Sequence, residues 1–153
     1  MNTGLGFVLA SGTVGACLEA NIAGIPGLAL SQLLPPEVFR EWHENRAFQA
    51  GTVRYLDQLT DRFVNLVWSA LIEPGDPRAI TWNVNFPYDV ADEPQLRRTH
   101  LGETYYRRVF NKKGDRYVHE LERFAIDEDP GSDFAALRSG HISVTEIDIG
   151  KLC

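Results

Sequence analysis

After Gly51 the apolar residues Leu56, Leu59, Phe63, Leu66, Val67, Ala70 and Leu71 recur at helical spacing, while Arg54, Asp57, Asp61 and Arg62 take the other faces. That period predicts an amphipathic helix laid against a sheet. The stretch EPGDP, Glu73 to Pro77, signals a turn, and ITWNVNFP then alternates as a strand does until Pro87 ends it. Nearer the start, Val14 to Ala23 is small and aliphatic, with Ser11 and Thr13 ahead as N-cap candidates and Gly24 behind, which predicts a short buried helix. Gly27 to Ser31, entered through Pro26, reads as an aliphatic strand. Helix and strand together form the second half of a βαβ unit, and the chain is expected to be α/β.

Elsewhere the pattern changes. Pro35-Pro36 opens EVFREWHENRAF, an exposed segment of mixed helical character. Leu96 to Phe124 is rich in Tyr, Arg, Thr and Val around Lys113-Gly114-Asp115, and reads as an extended β-hairpin arm. A two-stranded hairpin is marginal alone, so its aromatic face (Tyr105, Tyr106, Val109, Phe110, Tyr117) is expected to meet a partner. GSDFAALRSG, Gly131 to Gly140, predicts a short helix capped by Ser132 or Asp133, and HISVTEIDI alternates as a final strand. The expected organisation is a single domain over 1–153: an α/β core portion over 1–95, the hairpin arm over 96–124, and a C-terminal helix and strand over 125–153.

Composition narrows the function classes. With 153 residues, 44% hydrophobic and 24% charged, the chain has the mix of one globular domain with a real core. A net charge of -6 argues against a nucleic-acid duplex as partner, because phosphate-backbone binders present a basic face. Arg97, Arg98, Arg107, Arg108, Lys112 and Lys113 are interleaved with acids and aromatics, and read as a solvated face. Cys17 and Cys153 make no disulfide framework and have no zinc-ligand spacing, which leads to an expected cytoplasmic setting. The stretch Phe7 to Leu30 is broken by polar residues, glycines and Pro26, so no membrane span is expected, and no Lys or Arg precedes Arg40 to form a signal-peptide n-region.

One stretch carries candidate chemistry. A helix start exposes N–H groups without intrahelical acceptors, and the helix dipole adds partial positive charge there. Ser11-Gly12-Thr13 has that form: Gly12 permits close backbone approach, and the two hydroxyls can donate to phosphate oxygens. The same form serves as an ordinary helix cap, and the GK[ST] ending of a Walker loop is missing. Asn2-Thr3-Gly4-Leu5-Gly6 reads as a second polar, glycine-rich turn. His43, His100, His119 and His141 are scattered, Asp127-Glu128-Asp129 reads as a solvated turn beside Pro130-Gly131, and Cys17 lies on an apolar helix face. No catalytic residue is assigned in this chain.

Taken in order, NTG with VLASGTVGACLEANIAGIPGLALS, then TWNVNFP, then LGETYYRRVFNKKGDRY, then GSDFAALRSGHISVTEI resemble the SurE family of 5′/3′-nucleotidases. The family patterns are SGTVGAAxEGxxxGIPxxAxS, NVNxP and GTDxxAxxxGxxSVTPL. Departures are Asn21, where a small residue or Gly is usual, and Glu146, where Pro is usual. The resemblance implies a Rossmann-like core, here incomplete, with the hairpin arm and C-terminal strand used in homodimer or tetramer assembly. It implies a metal-dependent phosphomonoesterase, with Mg or Mn as the divalent ion and a nucleoside monophosphate or other phosphate ester as substrate. Ser11, Gly12 and Thr13 carry over as phosphate contacts. Asn2 matches either the family's phosphate-side loop Asn or, with a larger deletion, its metal-binding Asn. The TNDDG-like acidic turn and the downstream Ser have no counterpart. The chain is then expected to be the C-terminal part of such an enzyme: a truncated product, a misassigned start, or one half of a split enzyme whose partner is a separate chain carrying the missing half. A catalytically inactive phosphate-binding or oligomerisation module is the alternative.

Overall fold

The structure, a computed structural model, describes residues 1–75, 78–103, 110–119, 127 and 129–152. Helices α1 (Gly4–Leu9) and α2 (Gly12–Ile22) lead into β1 (Gly27–Gln32), followed by α3 (Pro36–Asn45) and α4 (Ala50–Val67), the last running on into a π-turn at Trp68–Ile72. Strands β2 (Thr81–Phe86), β3 (Leu96–Thr99), β4 (Phe110–Lys113) and β5 (Arg116–His119) precede α5 (Asp133–Arg138) and β6 (Ile142–Ile147), and a 3-10 turn closes at Ile149–Leu152.

Among the described residues the main sheet has four strands, in the order β1-β2-β6-β3. Strands β1 and β2 are parallel, β6 is antiparallel to β2, and β3 is parallel to β6. Every residue of β2 is buried, as expected of an interior strand covered on both faces. Its alternation separates two chemistries rather than core from solvent. Trp82, Val84 and Phe86 join Leu59, Phe63, Val67 and Leu71 in the main apolar cluster, with Ile142 and Val144 of β6. Thr81, Asn83 and Asn85 face the other way, toward the side where Val14 packs on Ala29 and Val8. The α4 stripe is narrower than its sequence suggested, because Leu66 and Ala70 are exposed.

Close packing fixes α2 on this second face. A Cβ at Gly27 would sit 2.6 Å from Cys17 Cβ and 3.0 Å from Thr81 Oγ1, so helix and strand touch through the missing side chain. Asn21 is buried, accepts from Thr81 Oγ1 at 2.7 Å, and donates through Nδ2 to the Ile25 carbonyl at 2.9 Å. The end of α2 is thereby pinned to the start of β2. Gly27→Ala is expected to lower stability by about 1–3 kcal/mol through overpacking, seen as a lower urea midpoint at unchanged slope. An unchanged midpoint would show that α2 can lift from β1 at little cost.

Two expectations are corrected. Residues from Gly4 onward form α1 rather than a turn, because Val8 has an apolar cluster to enter. Leu96–Thr99 is not part of the arm, since it pairs with Ile142–Thr145 in the main sheet. Among the described residues the hairpin consists of β4 and β5 around Gly114-Asp115, and Tyr105, Tyr106 and Val109 lie outside the described residues. The C-terminal strand is β6, which lies between β2 and β3 in the sheet.

Candidate functional site

Buried amides in a strand need partners, since an unsatisfied one costs about 1–3 kcal/mol. Asn83 and Asn85 find theirs in Asn2. The Asn2 N–H donates to Asn85 Oδ1 at 2.7 Å, and the Asn2 carbonyl accepts from Asn83 Nδ2 at 2.8 Å and Asn85 Nδ2 at 3.1 Å. The Asn2 side chain donates through Nδ2 to Ser31 Oγ at 2.6 Å. Asn2 is thus clamped across β1 and β2 near their C-terminal ends, the end at which open α/β sheets bind ligands. Because the Asn83 amide turns its NH2 to Asn2, its Oδ1 faces away, and that oxygen and Thr3 Oγ1 are buried with no hydrogen-bond partner among the described residues. Both retain bonding capacity at this spot.

The polar face continues across the sheet. Thr99 Oγ1 lies 2.9 Å from Ser143 Oγ and 2.8 Å from Thr145 Oγ1. At the start of α5, Ser132 is the cap, accepting from the Ala135 N–H at 3.2 Å. Asp133, the next residue, is fully buried. Its Oδ2 accepts from the Gly4 N–H at 2.8 Å, and its Oδ1 from the N–H groups of Gly102 at 3.1 Å and Phe134 at 2.8 Å. Burial pushes its carboxyl above the usual carboxylate range, against the pull of the three N–H donors. Ionisation of Asp133 therefore works against folding: its contribution is fully present below the ordinary carboxylate range and is lost as pH rises through the raised value.

Ser11, Gly12 and Thr13 stand at the start of α2. Ser11 Oγ accepts from the Val14 N–H at 3.2 Å, so Ser11 is an N-cap as well as a candidate phosphate contact. Gly12 and Thr13 are exposed, and a Cβ at Gly12 would meet nothing within 4 Å. Since the end of α2 is tied to the first residue of β2, its start points toward the C-terminal strand ends where Asn2 is held. The α1 helix links the two segments, and the Ser11 N–H donates to the Val8 carbonyl at 3.1 Å. Gly4 opens α1 at φ 69, a left-handed conformation that suits glycine.

A divalent cation of the Mg or Mn type takes several oxygen donors, carboxylates foremost. Among the described residues, no three His, Cys, Asp or Glu side chains gather as such a nest. Both oxygens of Asp133 accept backbone N–H groups, and the amide nitrogen of Asn2 is turned to Ser31. The residues present do not by themselves fit a divalent ion. The Asp127 and Asp129 carboxylates accept N–H groups of Glu103, Asp129 and Gly131, as a turn would, and Glu128 lies outside the described residues. The Gly131 N–H, then His100 at 2.9 Å, holds Asp129 below the usual carboxylate range. Cys17 is half-buried and burial pushes its thiol up, away from nucleophilic use.

Sequence reasoning missed Thr3, Ser31, Asn83, Asn85 and Asp133 as members of this cluster. The available signal was NVN itself: two amides at alternate positions of a strand share one face, and on an interior strand that face is buried.

Known proteins extend the picture. A family model described as Survival protein SurE matches residues 1–108. The chain is similar to the 5′-nucleotidase SurE of Azorhizobium caulinodans, 32% identical over 146 residues, which covers 91% of this chain and 52% of that protein. It is similar also to the 5′-nucleotidase SurE of Caldanaerobacter subterraneus subsp. tengcongensis, 30% identical over 155 residues, covering 96% and 54%. The fold is like that of the crystal structure of SurE protein from Aquifex aeolicus, with a TM-score of 0.61 and 24% identity over 97% of this chain and 55% of that one. The chain spans about half the length of the curated relatives it matches.

Proposed function

The chain belongs to the SurE survival-protein family, and from that premise we propose that it forms the phosphate-facing part of a divalent-metal-dependent phosphomonoesterase acting on nucleoside 5′/3′-monophosphates. The observation that carries this reading is the clamp on Asn2: Ser31, Asn83 and Asn85 hold it at the C-terminal ends of β1 and β2, the end toward which the start of α2 points. Helix-start N–H groups and the Ser11 and Thr13 hydroxyls are suited to an anion, which is what a phosphate ester presents. Acidic ligands for Mg or Mn would come from outside the described residues. In the same proposal the chain assembles as a homodimer or tetramer through the hairpin, on which Phe110, Tyr117 and Val118 are 59%, 70% and 38% exposed. The setting is cytoplasmic in this reading, and no helix among the described residues is long and apolar enough to cross a membrane.

A second reading, a catalytically inactive phosphate-binding or oligomerisation module, is favoured by the lack of an acidic nest among the described residues. Titration of the purified chain with inorganic phosphate, followed on backbone amide resonances, is expected to move Gly12, Thr13 and Asn2 first. Hydrolysis of AMP with Mn2+ is then expected to be slow for this chain and to rise when a segment bearing the family's TNDDG-like turn is supplied. Phosphate that leaves those amides unmoved would overturn the site. A rise in turnover favours the enzyme part, and none, despite phosphate binding, favours the inactive module.

A further inference from the structure

Asp133 does work that its place in the sequence does not require. The cap of α5 is Ser132, so an acid at the next position is not needed to start that helix. It is nonetheless a fully buried carboxylate, and among the described residues no Lys, Arg or His forms an ion pair with it. A carboxylate can only accept hydrogen bonds, and one that is buried persists when N–H donors replace its lost water. Two of its donors belong to remote segments, Gly4 and Gly102, while Phe134 is its own neighbour. Gly4 is the residue on which the chain turns from the Asn2 clamp into α1, and α1 delivers Ser11 to the start of α2.

We infer that Asp133 is a positioning residue of the phosphate site: its Oδ2 holds the Gly4 N–H and so fixes the Asn2–Gly4 segment relative to the start of α2. The role rests on the nucleotidase-type site proposed above. What Asp133 supplies is a second acceptor oxygen for the Gly4 N–H, not charge for the substrate. With Oδ1 shared by Gly102 and Phe134, removing Oδ2 alone frees the Gly4 end and leaves the α5 end in place.

Asp133→Asn makes that separation. Two N–H donors converge on the Oδ1 position, so the amide oxygen is expected to stay there and the NH2 group to face the Gly4 N–H. A neutral amide is also easier to bury than a carboxylate, which favours a folded variant. The Gly4 amide resonance is expected to move and exchange with solvent faster, the Gly102 and Phe134 resonances to stay, and affinity for inorganic phosphate to fall about tenfold or more. Affinity equal to that of the unsubstituted chain, with the Gly4 signal displaced, would overturn the inference and leave the site standing. Absence of phosphate binding by the unsubstituted chain would instead overturn the site and this role together. Should the variant fail to fold, amide exchange in the unsubstituted chain decides: protection of Gly4 matching that of Gly102 supports the tie, and exchange of Gly4 at the rate of an open loop rejects it.

Discussion

Phe63→Ala is expected to lower the stability of the chain by about 3–5 kcal/mol, the range for truncating a large aromatic in a packed core. Phe63 is fully buried and lies between Leu59 and Val67 on the inner stripe of α4. Its ring meets Phe86 of β2 with centroids 5.6 Å apart and planes tilted by 33°, a favourable aromatic arrangement. Truncation removes that contact and leaves a void between a helix and a sheet that are each held by other residues, so collapse is limited. Urea unfolding followed by circular dichroism measures the effect. Leu66→Ala is the internal comparison: one turn away from the stripe and 43% exposed, it is expected to shift stability by about 0.5 kcal/mol or less. Equal losses in the two variants would mean that α4 is not seated on the sheet through Phe63.

The second large effect is expected from Asn85→Ala. One truncation strips the Asn2 N–H of its acceptor and the Asn2 carbonyl of one donor, at bonds that are partly buried and made by a fully buried Asn85 side chain. The expected cost is about 2–4 kcal/mol, together with loss of phosphate-induced shifts at Asn2 and Gly12. Asn83→Ala should be milder, at about 1 kcal/mol, because the Asn2 carbonyl keeps Asn85 and the Oδ1 of Asn83 has no hydrogen-bond partner to lose among the described residues. The order of the two variants is the test. Asn83→Ala proving the more damaging would place the weight of the clamp on the wrong amide.

Local pattern made much of this fold legible. Spacing of Leu59, Phe63, Val67 and Leu71 placed α4, Pro26 and Pro87 bounded β1 and β2, and Ser132 announced α5. Those signals depend on neighbours in the chain. Strand order does not, and so the pairing of Leu96–Thr99 with Ile142–Thr145 was hidden: a four-residue run with two arginines reads as exposed hairpin until a partner far along the chain covers it. The site divides the same way. Ser11-Gly12-Thr13 was readable as a helix start, whereas Asn2, Ser31, Asn83 and Asp133 become one cluster only once residues up to 129 positions apart are brought together. Helix-start chemistry offered Ser11-Gly12-Thr13 as an anion seat or an ordinary cap, and the family resemblance chose between the two.

The place of β6 in the sheet bears on how the chain is made. Strands β2 and β3 are both synthesised earlier, yet neither pairs with the other, and the strand that joins them is the last among the described residues. During translation β1, β2 and α4 can assemble locally, while β3 must wait for Ile142–Ile147 to leave the ribosome before it has a neighbour. The emerging chain therefore carries an open β2 edge until synthesis is nearly through residue 147, a window in which chaperone occupancy would be greatest and premature strand pairing between nascent chains most costly.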